Sequence, residues 1–135
     1  MIKAIFTAIF GLFFIGCALQ ANNSSADIFI NTSWTLVSIS GKSPDTEKPP
    51  ALRFSDKKAS GFSGVNNFSA NYKISNDKIV FSEMISTRMA SLSAELSKLE
   101  TDFISALLDI TSFELNGDTL SVYGANHTLV FQKTR

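Results

Sequence analysis

Short stretches in which apolar and polar residues alternate recur along the chain, and a period of two is typical of β-strands with one buried face. The clearest stretch is 68–74, where Phe68, Ala70, Tyr72 and Ile74 are the apolar members. The same pattern predicts strands at 33–40, 51–55, 59–63, 79–81, 112–115, 120–123 and 128–132. Residues rich in Asn, Asp and Gly separate several of them, which favours antiparallel hairpins.

One segment has the period of a helix instead. Apolar residues recur there at three- and four-residue spacing, at Leu92, Leu96, Leu99, Phe103, Leu107 and Ile110, which indicates an amphipathic helix. Ser91 or Ser93 can cap its start. Its apolar face must pack against another element, and the sheet is the one available. We therefore predict an α+β fold, with an antiparallel sheet of about seven or eight strands curled into a partly open barrel and the helix packed on it.

The first residues have the pattern of an export signal. Lys3 is the only charge before an apolar run that reaches Gly16, and the only cysteine, Cys17, follows. An apolar core, a small residue and a cysteine in this order resemble the lipobox of bacterial lipoproteins, in which the cysteine carries the lipid. Acyl chains on Cys17 would attach the protein to a membrane. The alternatives are an ordinary cleaved signal with a chance cysteine, or a short uncleaved helix.

This interpretation divides the chain into three parts. They are a signal peptide at 1–16, a lipidated cysteine with a flexible tether at 17–31, and one folded domain at 32–135. Ala18 is not the aspartate that holds lipoproteins of enteric-type bacteria at the inner membrane. The resemblance therefore favours a lipid-anchored protein of the bacterial envelope, on the outer membrane and facing the periplasm.

Composition argues against several classes of function. Acidic and basic residues balance at twelve each, so we expect no nucleic-acid partner. A single histidine and a single cysteine leave no cluster with metal-ligand spacing, so we expect no metal and no cofactor. His127 falls in a predicted turn with no acid near it in sequence. We therefore expect no catalytic residue and no enzymatic activity, although a triad assembled in space is the alternative to a solvated histidine.

Residues 60–68 form the most distinctive segment. Gly61 and Gly64 lie close together, and Asn66 follows at once. Glycine and asparagine tolerate left-handed backbone angles, so a sharp chain reversal is predicted here. We expect the Asn66 side chain to hydrogen-bond its own backbone and to fix the turn.

A second distinctive segment, 86–90, precedes the predicted helix and contains Thr87, Arg88 and Met89. Arg88 lies among apolar residues, where a buried cation needs a partner. We expect its guanidinium to tie loop carbonyls or Glu83 to the start of the helix, with a contact to an anion or a protein partner as the alternative. The two segments should meet beside the helix and clamp the sheet.

Together these motifs resemble the META domain, also called the HslJ-like domain. The likeness spans about residues 32–132 and rests on three motifs: Trp34-x-Leu36-x-x-Ile39-x-Gly41, Ser60-Gly61-Phe62-Ser63-Gly64-Val65-Asn66-Asn67-Phe68 and Ser86-Thr87-Arg88-Met89-Ala90. It continues through Leu99-Glu100, Phe103, Leu107 and Gly117-Asp118-x-Leu120. The resemblance implies a cracked β-barrel with a helix, in a small exported lipoprotein tied to envelope stress or antibiotic tolerance. It implies no catalytic residues.

The chain departs from the family pattern at two positions. Many members have cysteine where this chain has Val65 and Ser91. The resemblance implies that those cysteines form a disulfide between the reversal and the start of the helix. This chain would replace that bond with packing by Val65, at a cost of a few kcal/mol.

These observations favour a non-enzymatic, membrane-anchored domain that binds a protein partner of the envelope. Two alternatives remain open. The barrel interior, lined by Phe62, Phe68 and Phe81, could carry a small apolar ligand. The domain could also inhibit an enzyme, as other small lipoprotein barrels do.

Overall fold

The alternating stretches form eight antiparallel strands in chain order, and β1 pairs with β8 to close a barrel. The computed structural model describes residues 26–91 and 93–135. The elements are β1 Ser33–Ile39, β2 Ala51–Phe54, β3 Lys58–Phe62, β4 Asn67–Ser75, β5 Lys78–Ser86, α1 Ala94–Asp109, β6 Ile110–Asn116, β7 Thr119–Gly124 and β8 Thr128–Lys133. The predicted α+β barrel with one packed helix is confirmed, and the barrel is closed.

Two strands depart from simple alternation because each has a β-bulge. In β1 the extra residue is Val37, which turns outward between Leu36 and Ser38. In β5 the pairing with β4 shifts between Ser82 and Ile85, where Glu83 has a φ of 52°. A bulge breaks the period of two, so the sequence pattern ended β5 at Phe81 although the strand continues to Ser86.

The strand directions define two ends of the barrel. At one end lie the turns at 55–57, 76–77 and 117–118, and we call it the hairpin end. The opposite end contains residues 40–50, 63–66, 87–93 and 125–127. Helix α1 lies across this end, in contact with β5, β1, β7 and β8, so we call it the helix end. Strands β5 and β6 pair at a single position, Lys78 with Ser112.

The helix closes its end with one apolar face. Phe103, Ala106 and Leu107 are fully buried, and the Phe103 ring lies 5.8 Å from that of Phe68 and 6.2 Å from that of Phe131. Ser93 caps the helix, since its hydroxyl accepts a hydrogen bond from the backbone N–H of Leu96 at 3.3 Å. Of the two predicted caps, Ser93 is therefore the one used.

The hairpin end is closed by a residue that the sequence analysis assigned to the tether. Phe29 is fully buried, and its ring lies within 5.0 Å of the Phe54 ring and 5.1 Å of the Phe113 ring. The predicted start of the domain at residue 32 is therefore wrong. Residues 26–31 belong to the folded unit, because removing Phe29 would expose the aromatic core to water.

The remaining predictions about the N-terminus fall on residues outside the described ranges. These residues include the whole predicted signal peptide, Cys17 and the tether up to residue 25. Leu92, predicted to begin the helix, also lies outside them. No helix within the described ranges has the length and hydrophobicity needed to span a bilayer.

The barrel interior is filled by side chains. One cluster of buried residues extends from Phe29 at the hairpin end to Phe103 and Leu107 at the helix end. Phe68 and Phe81, predicted to line a ligand cavity, both belong to it. Phe62 is only partly buried, and the Lys48 ammonium lies over its ring, 4.2 Å from the centroid.

Candidate functional site

The chain reversal at 63–66 is built by Ser63 at the helix end. The Ser63 N–H donates to the Asn66 carbonyl at 2.9 Å, and the Ser63 hydroxyl oxygen lies 2.9 Å from the same carbonyl oxygen. In return, the Asn66 N–H donates to the Ser63 hydroxyl at 3.2 Å. Ser63 therefore performs the role that the sequence analysis gave to the Asn66 side chain. That prediction was wrong because a buried hydroxyl already satisfies the turn.

The Asn66 side chain instead joins the reversal to residues 87–89. Its Oδ1 accepts from the Met89 N–H at 2.7 Å and from the Thr87 hydroxyl at 2.9 Å. Its Nδ2 donates to the Met89 carbonyl at 3.1 Å. One amide thus holds both backbone polar groups of Met89, as a neighbouring strand would. The predicted meeting of the two segments beside the helix is observed.

Glu100 completes this arrangement from the helix. Its Oε1 accepts from the Ser63 hydroxyl at 2.5 Å and from the Asn66 N–H at 3.1 Å, and its Oε2 accepts from Asn66 Nδ2 at 3.1 Å. Asn66 and Ser63 are buried, and every buried side-chain nitrogen or oxygen in the described ranges has a hydrogen-bond partner. Ser63, Asn66, Thr87 and Glu100 therefore form one satisfied network, which we call the clamp.

Glu100 was overlooked as a site residue, although the sequence contains a signal for it. It follows Leu96 by four residues and precedes Phe103 by three, so it lies on the apolar face of the helix. An acid on such a face needs hydrogen-bond donors. Its donors are 34 and 37 residues away, and helical periodicity cannot identify partners at that distance.

The two glycines have different roles beside the clamp. A Cβ on Gly61 would lie 1.9 Å from the carbonyl oxygen of Ala51 in the paired strand, so no side chain fits there. Gly64 has a φ of 111° and faces Leu99 of the helix, a conformation that residues with a side chain rarely adopt. Both glycines are therefore structural, one for close strand packing and one for the reversal.

Arg88 does not act as predicted. Its side chain is exposed, and among residues 26–91 and 93–135 it forms no hydrogen bond or ion pair. Glu83, its expected partner, accepts a hydrogen bond from Asn71 instead. The neighbours Ile85 and Met89 are 70% and 64% exposed. The cation therefore needs no buried partner, because the segment lies on the surface while the clamp fixes its backbone.

His127 has an acidic partner that the sequence did not indicate. Its Nδ1 lies 3.1 Å from Asp109 Oδ2 at the end of α1, and both side chains are partly buried. The Asn126 N–H donates to the same oxygen at 2.8 Å. The Asn126 N–H, followed by the contact with His127, lowers the pKa of Asp109 below its ordinary value. An ionised Asp109 can therefore orient the imidazole ring.

His127 also borders a groove of about 700 Å³ at the helix end. Ile39, Leu96 and Leu99 supply apolar lining, and Ser40 and Ser43 lie along the same groove. Its charged residues have both signs: Lys42, Asp45, Glu95, Lys98 and Asp102. In the part of the chain that the structure describes, no group of three or more His, Cys, Asp or Glu side chains has the arrangement of a metal site.

Comparison with known proteins agrees with the family resemblance of the sequence and with the fold. The family model described as META domain matches residues 26–135. The chain belongs to the META domain family. The start of the match at residue 26 agrees with the burial of Phe29 in this META domain. No curated protein matches the chain significantly.

Solved structures resemble this META domain as well. An NMR structure of a protein from Burkholderia xenovorans has a TM-score of 0.66 and 26% identity, covering 81% of this chain and 86% of that one. A second NMR structure also has a TM-score of 0.66 and 26% identity, covering 80% and 93%. A crystal structure of a DUF4847 family protein from Bacteroides vulgatus has a TM-score of 0.58 at 12% identity, covering 78% and 94%. This last likeness concerns the fold alone.

Proposed function

We propose that this META domain protein is a non-enzymatic lipoprotein of the bacterial envelope that binds an envelope partner and supports tolerance of envelope stress or antibiotics. Cys17 would carry the lipid, and the protein would lie on the outer membrane, facing the periplasm. The family membership and the order of signal, small residue and Cys17 support this proposal.

The observation that carries the proposal is the separation of the two barrel ends. The described chain begins at the hairpin end, beside Phe29, whereas the clamp, the exposed 85–89 segment and the groove all lie at the helix end. A lipid on Cys17 would tether the hairpin end to the bilayer. The helix end would then be the part of the molecule free to meet a partner.

The alternative of an apolar ligand carrier has less support. Phe68 and Phe81 pack within the central cluster, and α1 and Phe29 cover the two ends of the barrel. The alternative of an enzyme inhibitor uses the same helix end, with an enzyme as the partner. Inhibition of purified lysozymes or proteases by the protein would favour the enzyme-inhibitor alternative.

A hydrolase is the second candidate function, because Asp109 orients His127 beside a groove that Ser40 and Ser43 also line. Within the described residues, neither serine hydroxyl hydrogen-bonds to His127. Labelling of the purified protein by a fluorophosphonate, lost in His127→Ala, would favour the hydrolase. Equal labelling of both proteins would count against it.

Affinity capture of the tagged full chain from cross-linked envelopes tests the leading proposal, with Cys17→Ser as the matched control. We expect the native chain to capture a defined envelope protein. Cys17→Ser should capture less of the same protein. A deletion strain should be more sensitive to heat and hydrophobic antibiotics. Wild-type tolerance together with identical capture by the two proteins would contradict the proposal.

A further inference from the structure

Resting on the proposed function, we infer that the partner binds the surface formed by Ile85, Arg88 and Met89, called here the 85–89 surface. The partner is a protein segment that presents a carboxylate beside an apolar side chain. Ile85 and Met89 are among the most exposed large apolar side chains of the described residues, at 70% and 64%. Arg88 between them is exposed as well.

The composition of this surface is that of a protein-binding site. Arginine and methionine are enriched in interfaces, and arginine is frequent among the residues that dominate binding energy. The guanidinium can bind a carboxylate through two parallel hydrogen bonds. Methionine adapts its shape to different apolar partners. An acidic group next to an apolar anchor would satisfy all three side chains at once.

The backbone that carries this surface is already fixed. Asn66 holds the N–H and the carbonyl of Met89, and the Thr87 N–H donates to the Asn67 carbonyl at 3.0 Å. A fixed backbone reduces the ordering cost of binding. The clamp, in which Ser63 and Asn66 are buried, thus holds the backbone from which the exposed side chains project.

A shallow depression of about 290 Å³ lies beside the exposed side chains. Its lining consists of Asn67, Phe68, Ser69, Ile85, Ser86 and Thr87. Phe68 and Ile85 give it an apolar side, so it can receive one aliphatic or aromatic side chain of the partner. Arg88 follows the lining residue Thr87 directly in the chain, so its backbone adjoins the depression.

The position of the surface favours a protein over the anchoring bilayer. Cys17 precedes Ala26 by nine residues, and a chain of this length spans at most about 30 Å. It joins the barrel at the hairpin end, whereas the 85–89 surface lies at the helix end. Such a tether would hold the hairpin end within about 30 Å of the membrane, while the 85–89 surface lies at the opposite end of the barrel.

Site-specific photo-crosslinking of the full-length protein in cells tests this inference. A photoreactive amino acid is placed at position 89, with position 80 as a control, because Val80 is also on β5 and is 48% exposed. We expect a protein adduct at position 89 and none at 80. The cross-linked segment of the partner, identified by mass spectrometry, should contain Asp or Glu within a few residues of an apolar side chain.

Charge reversal supplies the second readout. Arg88→Glu should lower the adduct yield at position 89 by at least about tenfold. Arg53→Glu is the matched control, since Arg53 is exposed on β2 at the hairpin end, and it should leave the yield unchanged. Circular dichroism of both variants checks that they fold. An adduct with lipid, an equal yield at position 80, or no response to Arg88→Glu would overturn the inference.

Failure of this inference can be separated from failure of the proposed function. A third photoreactive position at Asp45 samples the groove at the same end of the barrel. A partner adduct at position 45 but not at 89 would overturn the 85–89 surface and leave partner binding intact. No adduct at any of the three positions would contradict both.

Discussion

The two ends of the barrel are closed by different kinds of interaction. At the hairpin end, Phe29 packs against aromatic rings and adds no side-chain polar group. At the helix end, the apolar face of α1 is joined by the clamp, in which Asn66 and Glu100 bind Ser63, Thr87 and Met89. Apolar packing stabilises without direction, whereas hydrogen bonds fix positions. The hairpin end therefore serves stability, and the helix end also serves precise placement of an exposed segment.

Removing the aromatic ring at the hairpin end should have the largest effect. Phe29→Ala deletes a fully buried side chain and should lower the free energy of unfolding by about 3–5 kcal/mol. Ile28→Ala is the control, because Ile28 is largely exposed. Urea unfolding monitored by Trp34 fluorescence measures both. A loss in Phe29→Ala no larger than in the control would mean that residues 26–31 are not part of the folded unit.

Removing the amide of the clamp should have the next largest effect. Asn66→Ala removes the side-chain partner of the Met89 N–H and carbonyl, of the Thr87 hydroxyl and of Glu100 Oε2. It should lower the free energy of unfolding by on the order of 2–4 kcal/mol. Asn67→Ala provides the comparison, since Asn67 is the exposed neighbour and its backbone bonds are kept. Thermal unfolding measures the melting temperature of both variants, and that of Asn66→Ala should be the lower. Equal melting temperatures would show that the clamp contributes no stability.

A disulfide across the helix end should stabilise the protein, whereas the two substitutions above should destabilise it. Val65 adjoins Asn66, and Ser91 lies two residues beyond Met89, so the hydrogen bonds of Asn66 bring these positions into the same region. Oxidised Val65→Cys/Ser91→Cys should be stabilised by about 3 kcal/mol, because the bond closes a long loop in the unfolded chain. Denaturation with and without reductant measures the gain. Free thiols under oxidising conditions would contradict the geometry.

The smallest effect is expected at the partly exposed pair of His127 and Asp109. Hydrogen bonds lower the pKa of Asp109 in the folded protein. The ionised carboxylate therefore adds stability at pH values above its unfolded pKa of about 3.9. This contribution is lost as the pH falls through the lower folded pKa. Asp109→Asn should be less stable than the native protein at pH 7, and the difference should vanish in acid.

Urea titrations at pH 7 and near pH 2–3 would measure this dependence on either side of the unfolded aspartate pKa of about 3.9. Asp118→Asn, in an exposed turn, should show little difference from the native protein at either pH. A difference for Asp109→Asn that persists in acid would show that its effect does not come from the charge.

Local patterns predicted most of the fold but little of the clamp. Alternation from Phe68 to Ile74 and the helical spacing around Phe103 gave the correct elements, because burial on one face leaves a periodic signal. The bulge at Glu83 concealed the second half of β5. Phe29 was missed because a single buried aromatic in a turn has no period. The pairing of Asp109 with His127 spans 18 residues, and only the closed barrel brings them together.

Hydrogen exchange of the Met89 amide tests the central claim, that the clamp fixes the segment carrying Arg88. This N–H donates to Asn66 Oδ1 in the folded protein, so it should exchange slowly in the native chain and in Arg88→Ala. In Asn66→Ala it should exchange at least about tenfold faster, while amides of β7 and β8 stay protected under native conditions. Rapid exchange of Met89 in the native chain, or no change on removing the Asn66 amide, would contradict the account.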